Sequence, residues 1–513
     1  MLLSDFVYNI IPRIDIVISA LLLVSFACCA VIIQIARFAV ARRKFRQKAV
    51  PHGSTTVAFF HPYCNAGGGG EKVLWCAIRA IQQRHPKVMC FVYTGDVLAK
   101  PEEIINRAKD RFRIVLKPST LQFIYLHRRY LVEACTYPHF TLIGQSLGGL
   151  LLGVEALCKF VPDVYIDSMG YAFTLPLFRY IGKCRVGCYV HYPTISVDML
   201  TLVAEQRSVY NNQNTVAKNK FLTQLKLAYY WLFALLYGLV GRSCERIAVN
   251  SSWTLNHIVY LWNRPQVTQV IYPPCDIRPD CDEIIESCNP DGDTDYVQCN
   301  WVESERLLDQ DKKVRILSVG QFRPEKDHQL QLESFAKFIQ LCDSRPELSD
   351  IKATLVLLGG CRNESDSSRV ALLKESASEI GISNNIEWKL NARFDELQSE
   401  YRRALIGLHT MWNEHFGIAV VDGMAAGNIM VAHNSGGPKC DIIVPSADGQ
   451  QTGYLATTAE EYAQAFAEIV GLTPVERTAI RQKARSHIQR FSENWFDDAF
   501  DSLFNPLWTG GLR

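Results

Sequence analysis

The sequence predicts an α/β protein made of two doubly wound halves behind an N-terminal transmembrane helix. Three observations carry that expectation. Short apolar runs alternate with helical stretches from Thr56 to Val249 and again from Val314 to Ala432, the pattern of parallel sheets covered by helices. Between Asp276 and Asp311 there are twelve Asp or Glu and only two Arg, with little apolar periodicity, which marks a linker or solvated insertion. Ile16 to Ile33 runs eighteen residues without a charge, enough to cross a bilayer.

These breaks divide the 513 residues into an anchor with a basic juxtamembrane segment (1–50), a first Rossmann-like domain (51–275), the acidic linker (276–311), a second Rossmann-like domain (312–480) and a C-terminal helical segment (481–513) expected to pack back on the first domain. A formal charge of +2 gives no global basic field, so a nucleic-acid partner is not expected. Seventeen cysteines, an odd count scattered without repeat, suit free thiols in a reducing compartment. Asp5, Arg13 and Asp15 precede the apolar run, unlike a cleaved signal peptide, whereas Arg37, Arg42, Arg43, Lys44, Arg46 and Lys48 follow it. The positive-inside rule then places the chain after the anchor in the cytosol. On that side the sequons at Asn250 and Asn363 do not meet the glycosylation machinery.

In the first half, the strand Thr56–Phe60 breaks into His61-Pro-Tyr-Cys-Asn-Ala-Gly67-Gly68-Gly69-Gly70-Glu71-Lys72, and Val73 to Ile81 then has helical periodicity. The glycine run matches neither a Walker loop nor a Gly-x-Gly-x-x-Gly fingerprint. It is read either as a sharp packing turn or, between strand and helix, as backbone N–H groups that cradle a phosphate; the second is favoured. Strands are expected at Met89–Tyr93, Val164–Ile166, Arg185–Val190 and Arg246–Val249. After Val190 comes His191-Tyr192-Pro193, a strand-end histidine that is either a ligand contact or purely structural. Leu225–Gly241 is apolar and aromatic with Lys226 its only charge, which fits a buried or membrane-surface helix.

Within the linker, Asp291-Gly-Asp293-Thr-Asp295 fails as an EF-hand because Tyr296 and Val302 stand at the sixth and twelfth positions. As an Asp-x-Asp metal motif it lacks a flanking apolar strand, and no other metal site is expected. In the second half, strands are expected at Val314–Val319, Leu355–Leu358, Ile386–Trp388, Ile406–Leu408 and Ile429–Ala432. The first of them ends in Gly320-Gln321-Phe322-Arg323-Pro324-Glu325-Lys326, which brings two cations to the carboxyl edge as either a surface ion pair with Glu325 or a diphosphate clamp. From Asn413 to Pro438 the chain reads as a polar loop, a helix over Phe416–Ala426 rich in small residues, and a short strand ending in Gly436-Gly437. Glu414 and Asp422 lie eight positions apart, about two helical turns, so a helix through both turns them to one side.

With these residues in place, the chain resembles the retaining glycosyltransferases of family 4 over nearly its whole length after the anchor. His61-Pro-Tyr-Cys-Asn-Ala-Gly-Gly-Gly-Gly-Glu, Gly144-Gln-Ser-Leu-Gly, Tyr189-Val-His-Tyr-Pro-Thr-Ile-Ser, Gln321-Phe-Arg-Pro-Glu-Lys-Asp-His and Trp412-Asn-Glu-His-Phe-Gly-Ile are similar, more narrowly, to a family of dolichol-pathway α-1,2-mannosyltransferases. The resemblance implies the GT-B fold, two Rossmann-like domains facing across a cleft. It implies transfer of mannose from GDP-mannose to a dolichol-diphosphate-linked oligosaccharide at the cytosolic face of the endoplasmic reticulum membrane, without a metal or other cofactor. Other mannosyltransferases of the same pathway are implied partners. Carried over by motif, Glu414 and His191 fall at the reacting centre, and Arg323, Lys326 and the backbone of Phe416, Gly417 and Ile418 at the donor diphosphate. Asp422 takes the position that holds the nucleotide ribose, and Gly67, Gly68, Gly69 and Gly70 close over the phosphates. This chain departs from the wider family in having Asp422 where Glu is usual and Gln321 where Arg is usual.

Two other classes compete with this reading. Gly144-Gln-Ser146-Leu-Gly148 fits the nucleophile elbow of an α/β hydrolase, which requires a strand before Ser146 and a helix after it. A transferase-like scaffold that binds a nucleotide sugar or a partner enzyme without catalysis is supported only by the Asp422 and Gln321 departures; another lipid-acceptor hexosyltransferase of the same fold is a narrower alternative.

Overall fold

The structure, a computed structural model, describes residues 31, 34–36, 38, 54–196, 198–199, 220–277, 301–446 and 448–510. Nearly all of the apolar run 16–33, most of the basic segment after it, and residues 278–300 with the Asp291–Asp295 motif lie outside the described residues. The chain forms two compact units, one comprising residues 1–189, 233–247 and 503–513, the other residues 190–232 and 248–502.

Two sheets organise the chain. Strands β1 (Thr56–Phe60), β2 (Met89–Thr94), β3 (Leu121–Tyr125), β4 (Val164–Asp167), β5 (Arg185–Val190), β6 (Arg246–Val249) and β7 (Thr268–Val270) form the first, in the order β3-β2-β1-β4-β5-β6-β7. β1 is buried at all five positions because parallel neighbours flank it, Ala58 pairing with Phe91 on one side and Tyr165 on the other. Helices α1 (Gly69–Arg84), α2 (Pro101–Phe112), α3 (Thr141–Lys159), α4 (Lys220–Gly241) and α5 (Ser252–Trp262) connect or follow these strands. α1 turns Val73, Leu74, Ala77, Ile78 and Ile81 inward, the 3.6-residue stripe that a sheet-covering helix requires. In α3, a Cβ on Gly148 would stand 1.8 Å from the carbonyl oxygen of Leu131, so close packing, rather than flexibility, selects that glycine.

The second sheet comprises β8 (Lys313–Val319), β9 (Lys352–Gly359), β10 (Ile386–Leu390), β11 (Ile406–His409), β12 (Ile429–His433) and β13 (Tyr454–Ala456), ordered β10-β9-β8-β11-β12-β13. Its paired strands run parallel. Among the described residues, α6 (Val302–Asp311), α7 (His328–Ser344), α8 (Glu364–Ile380), α9 (Phe394–Arg403), α10 (Ile418–Ala426), α11 (Ala459–Gly471) and α12 (Pro474–Ile488) accompany it, and α13 (Glu493–Thr509) follows. The core joins Val314, Ile316, Leu355, Ile406 and Val431 of the strands to Phe335, Phe338 and Phe466 of the helices.

Several elements differ from the sequence expectation. α6 occupies the end of the stretch read as linker; Glu305 on it bonds Arg477 at 2.5 Å and also pairs with Arg481, two arginines 1% exposed. Buried guanidinium groups of this kind require a carboxylate partner, and α6 supplies it. β3, β7 and β13 were not expected as strands. The helix expected from Phe416 starts at Ile418, because Gly417 adopts a left-handed φ of 111° before it. At the other end of the chain, Arg185 Nη1 donates to the carbonyl oxygens of Pro506 at 2.6 Å and Gly510 at 3.0 Å, which holds the end of α13 within the first unit.

In each sheet the strand order reverses once. β1 stands beside β4, and β8 beside β11, and at such switch points the chain leaves in opposite directions and opens a crevice at the carboxyl ends of the strands.

Candidate active site

At the second switch point, β8 delivers Gly320–Lys326 and β11 delivers His409–Gly417. Lys326 Nζ lies 2.5 Å from Glu414 Oε2, and His409 Nε2 lies 3.2 Å from the same oxygen. Glu414 Oε1 accepts the backbone N–H of His415 at 3.2 Å. Burial alone would raise the Glu414 carboxyl; the His409 hydrogen bond and the Lys326 charge more than offset it and hold the group well below the usual carboxylate range. Glu414 is therefore a standing carboxylate at neutral pH. It accepts hydrogen bonds and faces positive charge, and it has no proton to give.

The backbone around Glu414 is fixed by a glycine pair. Gly437 N–H donates to the carbonyl oxygen of Glu414 at 2.7 Å. A Cβ on Gly436 would come within 2.3 Å of that oxygen, and one on Gly437 within 2.5 Å of Phe416 Cα, so the end of the 429–437 segment approaches the loop as only glycine permits. Phe416 is 2% exposed and packs against Tyr272 and Phe491. That contact seats Gly417 as the N-cap of α10, where the first helical N–H groups have no acceptor within the helix and collect its positive dipole end.

The sequence-predicted donor residues are distributed unevenly around this point. Lys326 joins Glu414 directly. Arg323 is half-exposed and pairs at 3.7 Å with Glu325, the surface contact that the sequence allowed. Asp422 lies one turn inside α10 and half-buried, and its charge adds to the burial that raises the Tyr401 hydroxyl on α9. Glu414 and Asp422 do not share a helix face, because Glu414 precedes the N-cap. His191 follows β5 and is half-buried; the next residue, Tyr192, stacks on His415 with ring centroids 5.2 Å apart.

At the first switch point, His61 after β1 and Ser168 after β4 meet at 3.0 Å through His61 Nδ1, while His61 Nε2 lies 3.2 Å from Glu71 Oε1. All three are buried. The other Glu71 oxygen accepts the backbone N–H of Gly68. In the glycine run, Gly67 takes a left-handed φ of 82°, Gly68 is the N-cap of α1 and Gly69 and Gly70 open it. One of the amides read as a phosphate cradle thus already holds a carboxylate. Ser146 does not sit on a nucleophile elbow. It lies inside α3, where its hydroxyl donates to the carbonyl of Leu142 at 2.7 Å, and Phe140 is a left-handed N-cap rather than the end of a strand.

The sequence reading missed His409, Ser435 and Asp198. His409 had a signal, since it is a strand-end histidine on β11. Asp198 had none; Asn413 Nδ2 donates to its Oδ2 at 2.7 Å across a separation of 215 residues in sequence.

Comparison with known proteins places both halves. Residues 54–262 match the family described as ALG11 mannosyltransferase N-terminus, and residues 300–487 match glycosyl transferases group 1. Over 459 residues, 89% of this chain and 87% of the relative, the chain is 50% identical to a mouse (Mus musculus) GDP-Man:Man(3)GlcNAc(2)-PP-Dol alpha-1,2-mannosyltransferase. The human (Homo sapiens) protein of that name is 47% identical over 94% of this chain and 93% of its own length, and the Caenorhabditis elegans one is 46% identical over 88% and 90%. Among solved structures, a Thermosynechococcus elongatus sucrose-phosphate synthase superposes with a TM-score of 0.59 at 14% identity, covering 89% of this chain and all of that one. Anabaena HepE with UDP and glucose superposes with a TM-score of 0.55 at 14% identity, covering 88% and 99%. The two parallel-sheet α/β halves are those of a GT-B glycosyltransferase, and the chain belongs to the family of GDP-Man:Man(3)GlcNAc(2)-PP-Dol alpha-1,2-mannosyltransferases.

Proposed function

We propose that the protein transfers mannose from GDP-mannose in α-1,2 linkage to a dolichol-diphosphate-linked oligosaccharide, with retention of anomeric configuration. The observation that carries this reading is the Lys326–Glu414 pair at the β8/β11 switch point, 2.5 Å between charged atoms, beside the N-terminus of α10. Departure of a nucleoside diphosphate leaves an oxocarbenium-like sugar, so the site has to stabilise negative charge on the leaving group and positive charge on the hexose. Lys326, Arg323 and the amides of Phe416, Gly417 and Ile418 take the diphosphate. The Glu414 carboxylate takes the hexose side, accepting its hydroxyl groups and balancing the developing positive charge. Asp422 accepts the ribose hydroxyls, and His191 serves the acceptor hydroxyl. The positive charge of the side chains and the helix dipole lets transfer proceed without a metal.

The protein acts at the endoplasmic reticulum membrane, spanning it once through residues 16–33 with the catalytic units in the cytosol. The basic residues after the apolar run support that orientation. In the first unit, Leu235 and Leu239 of α4, 61% and 49% exposed, offer apolar contact to the same lipid surface. Among the described residues only Thr141–Lys159 is long and apolar enough to span a bilayer; it packs Gly148 against the Leu131 carbonyl while Leu147 and Leu151 stay exposed.

The reading is tested by offering the membrane-bound protein a panel of nucleotide sugars with dolichol-linked oligosaccharide, and determining product mass and linkage. A hexose added in α-1,2 linkage only from GDP-mannose is expected. Transfer from another donor, or GDP binding with no transfer, overturns it.

A further inference from the structure

We propose that Asp198 is a positioning residue for sugar transfer, holding the Glu414 loop in register through Asn413. The inference rests on the assignment of Glu414 above and extends it to Asp198, a residue outside every motif quoted above.

The side chain of Glu414 is set by Lys326 and His409, but its backbone depends on the residues on either side, and both are held from outside the loop. Asn413 stands at a left-handed φ of 50°, a conformation that asparagine tolerates better than most residues but that persists only where neighbouring contacts hold it. Its backbone N–H donates to Ser435 Oγ at 2.7 Å, and its Nδ2 donates to Asp198 Oδ2 at 2.7 Å. His257 Nε2 on α5 lies 3.6 Å from that same Asp198 oxygen, and its ring meets Trp253 edge-on at 4.3 Å between centroids. On the other side of Glu414, the His415 ring lies 5.4 Å from Trp253 and 5.2 Å from Tyr192. Tyr192, Asp198 and one face of α5 therefore grip Asn413 and His415 together, with Glu414 between them. A charge-assisted hydrogen bond to a half-buried carboxylate is among the stronger single contacts available for this.

The consequence is kinetic. Misplacing a catalytic group by an ångström costs on the order of 100-fold in rate while leaving ground-state binding largely intact. Asp198→Ala is expected to lower kcat about 10-fold or more, with KM for GDP-mannose within about twofold of wild type and an unchanged melting temperature. Asn413→Asp sets two carboxylates against each other and is expected to lower kcat similarly. The double variant Asn413→Asp/Asp198→Asn restores a donor and an acceptor with the direction reversed, and recovers most of the rate. That rescue decides the matter even if Asp198→Ala does not accumulate as folded protein. Wild-type kcat in Asp198→Ala, a double variant no faster than Asn413→Asp alone, or a loss confined to the KM of the lipid acceptor overturns the inference. Failure of the underlying site assignment shows separately, as retained transfer in Glu414→Ala.

Discussion

Lys326 and Glu414 lie 88 positions apart and meet at 2.5 Å, so the loop after β8 and the loop after β11 are joined by one ion pair at the place where the strand order reverses. Glu414→Ala is expected to abolish detectable transfer, a loss above about 100-fold, while circular dichroism and melting temperature stay near wild type. Lys326→Ala loses both the pair and the charge facing the diphosphate, so kcat falls and KM for the donor rises.

The same pair fixes the direction of a pH effect. Glu414 is held well below the usual carboxylate range, so its charge persists as pH falls through that range and is lost only below it. Lys326→Met removes one of the two groups that lower it. The acid loss of activity should then begin at higher pH than in the wild type, measured as kcat/KM against pH; an unshifted acid limb rules out this coupling.

Asp422→Asn keeps the size of the side chain and removes its charge. If Asp422 accepts the ribose hydroxyls, GDP binds about 10-fold more weakly in this variant by titration calorimetry, the scale of one hydrogen bond to a charged group. Unaltered GDP affinity removes the residue from the donor site.

Gly436→Ala introduces a Cβ only 2.3 Å from the carbonyl oxygen of Glu414, at a residue whose φ is 62°. Backbone atoms cannot move aside as a flexible side chain does. Loss of more than about 2 kcal/mol of stability is expected, together with activity. A normal denaturation midpoint contradicts this close approach.

In the first unit, burial pushes the Asp167 carboxyl up from 3.8 to about 6, despite the hydrogen bonds it accepts from Met169 and Gly170. The folded protein therefore binds its proton more tightly than the unfolded chain, and stability declines as pH rises from about 4 to 6. Asp167→Asn keeps the acceptor oxygen without the charge. It should raise the melting temperature at pH 7, by an amount equivalent to on the order of 3 kcal/mol at most, with the gain vanishing near pH 4.

Much of this architecture was legible because central strands announce themselves. Thr56–Phe60, Arg185–Val190 and Arg246–Val249 are continuous apolar runs flanked on both sides, and their limits read directly from the sequence. The strands that escaped are β3, β7 and β13, all at sheet edges, where one side lacks a neighbour and polar residues such as Gln122 and Gln269 are tolerated. Lys326 beside Glu414 followed from the rule that loops at a switch point face each other. Asp198 did not, since nothing local marks a carboxylate whose partner lies 215 residues away. The helix start was misplaced by two residues for a related reason: Phe416 is apolar because it packs on Phe491, not because it belongs to α10.

The Glu71 carboxylate leaves the Gly68 N–H already paired within the glycine loop. A group tethered three residues away acts at an effective concentration of millimolar or more, so any anion approaching that amide binds by displacement rather than by filling an open position. Because the other Glu71 oxygen lies against His61 Nε2, this single side chain joins the glycine loop to the end of β1.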